Sequence, residues 1–65
     1  MEDKYIGYCY RGRRPVCQTE PDHQDIAAEG ICLAMEAPIG VQKDLLNHGE
    51  SAWKGLYFTL ERVER

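Results

Sequence analysis

The sequence predicts an α+β fold. It comprises a small antiparallel sheet of about three strands, an N-terminal hairpin plus a C-terminal strand, with one main helix packed on one face. Three observations carry this. Tyr5, Ile6, Tyr8 and Tyr10 enrich the segment from Lys4 to Arg11 in β-formers. Apolar residues between Ala27 and Met35 recur at helical spacing. Leu56, Phe58 and Leu60 then alternate with Tyr57, Thr59 and Glu61, the period-two pattern of a half-buried strand.

Taken in order, Gly12 in Arg11-Gly12-Arg13-Arg14 is free to adopt the positive φ of a tight hairpin turn. Pro15 to Thr19 returns as a short second strand, and Pro15, with no N–H to donate, suits an edge. A two-residue Gly12-Arg13 turn sets Tyr10 opposite Pro15, Cys9 opposite Val16 and Tyr8 opposite Cys17. Ile6, Tyr8, Tyr10 and Cys17 then share one face, and Tyr5, Gly7, Cys9 and Val16 the other. The first is the more apolar and is expected to face the core.

Thr19-Glu20-Pro21-Asp22 fits a capping box, with Thr19 as N-cap and Asp22 at N3. The main helix is therefore expected over Glu20 to Glu36, closed by Pro38. Ala27, Ala28, Ile31, Cys32, Ala34 and Met35 form its apolar arc; Asp22, Asp25, Glu29 and Glu36 form the opposing stripe. Gly30 costs about 1 kcal/mol against alanine inside a helix, so a break there, with Ile31 to Met35 as a strand, is the alternative. A second short helix is expected over Val41 to His48, with Gly49 as a left-handed C-cap. The last segment, Ala52 to Val63, is the closing strand. Its Leu56, Phe58 and Leu60 are expected to meet Ile6, Tyr8, Tyr10, Ile31 and Met35 beneath the helix.

Length bounds the rest. A chain of 65 residues, 43% hydrophobic with net charge −3, reads as one small domain over 1–65. A domain of this size buries only about 60% of its unfolded surface, and large cofactor domains and barrels do not fit. No apolar run follows Met1-Glu2-Asp3-Lys4 as in a signal peptide, and none approaches the roughly 18 residues of a membrane span. Three cysteines, Cys9, Cys17 and Cys32, are an odd set at irregular spacing. They read as free thiols in a reducing, cytoplasmic compartment.

Candidate chemistry is thin. Cys9, Cys17, His23, Cys32 and His48 lack the close pairing with which one knuckle aims two ligands at a zinc ion, so no metal or cofactor is expected. His48, Glu50 and Ser51 lie close in sequence, but no nucleophile elbow, phosphate-binding glycine loop or H-E-x-x-H accompanies them. The expectation is a protein that is not an enzyme.

Surface chemistry says more. Lys4, Arg11, Arg13 and Arg14 are interleaved with Tyr5, Tyr8 and Tyr10, a combination that holds phosphates, stacks bases or anchors protein contacts. Between residues 21 and 50, Asp22, Asp25, Glu29, Glu36, Asp44 and Glu50 face only Lys43. One helical layer covers one side of a sheet, which leaves Tyr5, Cys9, Val16, Tyr57 and Trp53 as a semi-exposed patch on the other. The alternative for Trp53 is a plug over the sheet end.

The leading expectation is a small protein-interaction module, a modulator or inhibitor of a larger protein, binding through Tyr5, Arg11, Arg13, Arg14, Trp53 and Tyr57. Weak nucleic-acid binding by the same hairpin is the second reading, and a homo-oligomeric structural component the third. No membrane partner is expected.

Overall fold

The computed structural model describes residues 3–63. Two antiparallel hairpins flank a pair of helices in the chain. The first hairpin is β1 (Tyr5–Arg11) and β2 (Arg14–Gln18); the helices are α1 (Gln24–Met35) and α2 (Ile39–His48); the second hairpin is β3 (Glu50–Trp53) and β4 (Leu56–Arg62). The sheet runs β2-β1-β4-β3, antiparallel throughout. The α+β class stands, while the detail differs: four strands in place of about three, and two helices packed on the sheet where one main helix was expected to cover it.

The extra strand comes from a turn hidden inside the segment read as a single strand. Lys54 and Gly55 both take positive φ, 51° and 77°, the backbone of a two-residue I′ hairpin. Lysine seldom occupies that conformation, so the alternation on either side looked continuous. In the first hairpin Gly12 supplies the positive φ, 63°, and Pro15 lies on an edge strand as expected. Because β1 pairs with β4 from Tyr5↔Arg62 to Arg11↔Leu56, both hairpin turns lie at the same end of the sheet.

The expected core face is reversed. Gly7, Cys9, Leu56, Phe58 and Leu60 point toward the helices and are buried; Ile6, Tyr8 and Tyr10 point the other way. The cause is the closeness of α1. A Cβ on Gly7 would sit 2.9 Å from the Ala27 carbonyl oxygen and from the Ile31 side chain. Only a strand face of small residues admits a helix at that distance, and a tyrosine face does not. Ala27 and Ala28 are small for the same reason, and Phe58 and Ile31 fill the remaining space, both fully buried.

The hairpin register also shifts. Cys9 pairs with Cys17, Tyr8 with Gln18 and Tyr10 with Pro15, with an irregularity between Cys9 and Tyr10 that leaves Val16 as the extra residue. Cys9 and Cys17 therefore sit opposite each other on one face, not on opposite faces.

The main helix starts four residues later than expected, because Thr19 is used elsewhere. Its backbone N–H donates to the Gly7 carbonyl (2.9 Å) and its Oγ1 accepts from the Gly7 N–H (3.0 Å). Tyr5 and Asp22 exchange two further backbone bonds, so residues 19–22 extend the ladder along β1 and do not cap a helix. His23 takes the N-cap position, and its side chain does not make the capping hydrogen bond.

α1 then runs unbroken through Gly30, whose missing Cβ would come 3.3 Å from Thr19 Cγ2. It ends in a Schellman motif at left-handed Glu36, with Ala37 N–H to Cys32 O and Glu36 N–H to Leu33 O. Ala34, expected in the apolar arc, is exposed. α2 ends as expected at left-handed Gly49.

Candidate functional site

The two helices pack on the same side of the sheet. Ala27, Ala28, Ile31 and Cys32 of α1, with Val41 and Leu45 of α2, join Cys9, Leu56, Phe58 and Leu60 in one core. No element covers the opposite side among the described residues. That open face carries Ile6, Tyr8 and Tyr10 from β1, Tyr57, Thr59 and Glu61 from β4, Glu50 and Ala52 from β3, and Pro15 and Gln18 from β2.

Its centre is a row of rings. Tyr8 and Tyr10 stack at 6.1 Å between centroids, and Tyr10 meets Tyr57 at 6.4 Å in a tilted arrangement. The Tyr57 hydroxyl donates to a Glu50 carboxylate oxygen. That bond, helped by the negative charges of Glu50 and Glu61, raises the Tyr57 phenol above its ordinary value. Thr59 Oγ1, in register with Tyr8 and Glu50, is buried without a hydrogen-bond partner.

The residues expected to form one binding surface lie in three places. Tyr57 stands on the open face, 42% exposed. Tyr5 and Trp53 lie on the helix side and pack against the core, so the plug reading of Trp53 holds; Lys54 Nζ lies 5.1 Å over its ring. Arg13 is at the hairpin turn. Arg11 and Arg14, paired with each other across the strands, alternate with Tyr10 and so share the helix side with Cys9.

The patch expected from Tyr5, Cys9, Val16, Tyr57 and Trp53 is thus corrected to one of Ile6, Tyr8, Tyr10 and Tyr57. Cys9 is fully buried and Val16 projects from the irregular edge. Sequence parity grouped Ile6, Tyr8 and Tyr10 correctly and assigned them to the wrong side. Gly7, the one position in β1 without a side chain, was the signal for the helix-covered face.

A second set of features escaped sequence reasoning. Arg11, Arg13 and Arg14 share the turn end of the sheet with Lys54, which no linear cluster reveals. Leu33 and Ile39 are 70% and 63% exposed, with Ile26 and Leu46 exposed behind them. These residues lie one to each helical turn pair, on the outer surface of the helices, separated by charged neighbours such as Glu29 and Lys43.

The other sequence candidates do not assemble. Among the described residues no three His, Cys, Asp or Glu side chains converge as a metal site would require. Cys9, Cys17 and Cys32 are free thiols, and burial pushes Cys9 and Cys32 up from the ordinary thiol value, the neighbouring Cys17 adding to the shift at Cys9 and Arg11 opposing it. Ser51 Oγ donates to Asp44 Oδ2 (3.1 Å). No helix among the described residues is long and apolar enough to cross a membrane.

Fold and face together define a two-layer α+β protein with one uncovered aromatic sheet face. No family model, curated protein or solved structure matches the chain.

Proposed function

We propose that the protein is a small non-enzymatic interaction module that binds a protein partner through the open face of its sheet, acting as a modulator of that partner. The observation that carries this reading is the contiguous row Tyr8–Tyr10–Tyr57 on a face that no helix covers. Tyrosine gives large contact area at small entropic cost and keeps a hydroxyl for polar contacts, which suits it to surfaces that are alternately wet and buried. The exposed aliphatics of the helices are isolated by charges; the rings touch one another and form one surface.

Two further features support the reading. Both edges of the sheet discourage strand addition: β2 carries Pro15 and the Val16 irregularity, and β3 is four residues long. Association is thereby directed to the face. The odd count of three cysteines at irregular spacing supports a reducing compartment as the place of work.

The nucleic-acid reading fares worse on the same face. Its strand positions carry Glu50 and Glu61 and no lysine or arginine, so a phosphate backbone laid across the tyrosines would meet carboxylates. Arg11, Arg13, Arg14 and Lys54 gather at the turn end, Arg11 and Arg14 on the helix side, while Lys4 and Arg62 lie at the opposite end of the sheet and Lys43 on α2.

The test is capture of a partner from a lysate of the source organism, followed by binding of that purified partner to three forms of the protein. Tyr8→Ala/Tyr57→Ala removes the rings and should abolish binding. Leu33→Gln on the outer helix surface should bind as wild type. Loss with Leu33→Gln and retention with the double variant would move the site to the helices.

A further inference from the structure

The open face also states what kind of partner fits it, an inference that rests on the docking role just proposed. We infer that the face receives a basic, arginine-bearing segment of a protein, its guanidinium groups lying on the Tyr8, Tyr10 and Tyr57 rings and pairing with Glu50 and Glu61.

The argument is one of complementarity. Three tyrosines and two carboxylates occupy the face, and no strand residue on it is lysine or arginine. A guanidinium is planar, weakly hydrated and always charged, and it satisfies both kinds of group at once. Its flat side stacks on a phenol ring while its N–H fork meets a carboxylate. Lysine offers a compact, strongly hydrated point charge and no plane to stack, so it pairs with the carboxylates alone.

The carboxylates are placed for this. Glu50 is held against Tyr57 by the hydroxyl bond, which accounts for one of its oxygens and leaves the other available beside the ring. Glu50 stands in register with Thr59, and Thr59 with Tyr8. Glu61 lies two positions further along β4, next to Ile6. The two acids therefore flank the row of rings within a few side chains, with the apolar Ile6, Ala52 and Pro15 around them. Net charge −3 adds a long-range attraction for a basic segment and a repulsion for nucleic acid.

A titration of the full-length protein followed by backbone and side-chain NMR tests this. The probes are two twelve-residue peptides, repeats of Arg-Gly-Ser and of Lys-Gly-Ser, and a twelve-nucleotide single-stranded DNA, each at low and at high salt. The arginine peptide is expected to shift Ile6, Tyr8, Tyr10, Glu50, Tyr57 and Thr59, with the lysine peptide several-fold weaker. Glu50→Gln/Glu61→Gln should weaken the arginine peptide about tenfold, since each exposed charge pair contributes modestly. Both residues are exposed, so the fold is kept. High salt should weaken binding in the wild type and change little in the variant.

An arginine peptide that leaves these residues unmoved at millimolar concentration overturns the inference, and so does DNA shifting them more strongly than the peptide. Sedimentation of the peptide-free protein separates the two claims. Self-association abolished by Tyr8→Ala/Tyr57→Ala, with no response to the arginine peptide, refutes the basic partner and keeps the face as a docking surface. Neither peptide binding nor self-association, with a captured partner bound equally by wild type and double variant, refutes both.

Discussion

Phe58 and Tyr57 are neighbours in β4, yet they live in different proteins as far as energetics is concerned. Phe58 is fully buried under two helices, while Tyr57 is 42% exposed on a face that no element covers among the described residues. The helix-covered side is built from small residues, Gly7, Cys9, Ala27 and Ala28, so that helix and sheet can close to contact. On the open side Ile6, Tyr8, Tyr10 and Tyr57 spread their area outward. Stability resides on the first side. The second is left exposed among the described residues.

The sharpest way to break this comparison is to truncate the two neighbours separately. Phe58→Ala should cost about 3–5 kcal/mol in urea denaturation, from lost burial and an unfilled cavity, and so leave the domain barely folded. Tyr57→Ala should cost less than about 1 kcal/mol, the order of one ring contact. Equal costs would mean that the open face is as structural as the core.

Close approach is tested next. Gly7→Ala forces a Cβ to 2.9 Å from Ala27 O and should cost about 1–3 kcal/mol through overpacking, whereas Tyr8→Phe on the other face should stay near wild type. A thermal melt compares them.

A smaller effect of opposite sign is expected at the end of α1. Glu36 holds a left-handed conformation, φ 57°, that glycine adopts without a steric cost. Glu36→Gly should therefore raise stability by about 0.5–1 kcal/mol in the same denaturation measurement.

The smallest effect is a titration. Tyr57 is held above the ordinary phenol value by its bond to Glu50, so its absorbance change should come later in an alkaline titration than that of a free tyrosine, and Glu50→Gln should bring it back down. The folded-state pKa is the raised one. The contribution is therefore fully present below the unfolded phenol pKa and is lost as pH rises through the higher folded value. A Tyr57 that titrates identically in wild type and Glu50→Gln would separate the ring from the carboxylate.

Much of this was legible in the chain, in proportion to how local the signal was. The hairpin turn at Gly12, the edge position of Pro15, the buried set Leu56, Phe58 and Leu60, the helix through Ile31 and the cap at Gly49 all follow from residue type and period. The β3–β4 turn was hidden because Lys54 occupies a conformation usually taken by asparagine or glycine.

Thr19 was misread because its hydroxyl serves the Gly7 N–H across the chain and not a helix N-terminus, a contact with no local signature. The choice of core face failed for a related reason. Counting apolar atoms favours three large side chains over glycine and cysteine, but the distance at which a helix packs is decided by the smallest residues. As for the candidate site, Tyr57 was found directly. Tyr8 and Tyr10 were placed inside; Glu61 shares the face of Tyr57 by alternation alone, whereas Glu50 comes beside it only through the β3–β4 register, which the sequence did not offer.

Hydroxyl-radical footprinting, free and then with the arginine peptide, tests the central claim most directly. In the free protein Tyr57 should be oxidised readily and Phe58 hardly at all, and the peptide should protect Tyr57 without altering Phe58. Tyr57 as protected as Phe58 in the free monomer, or as reactive with the peptide bound as without it, would contradict the account.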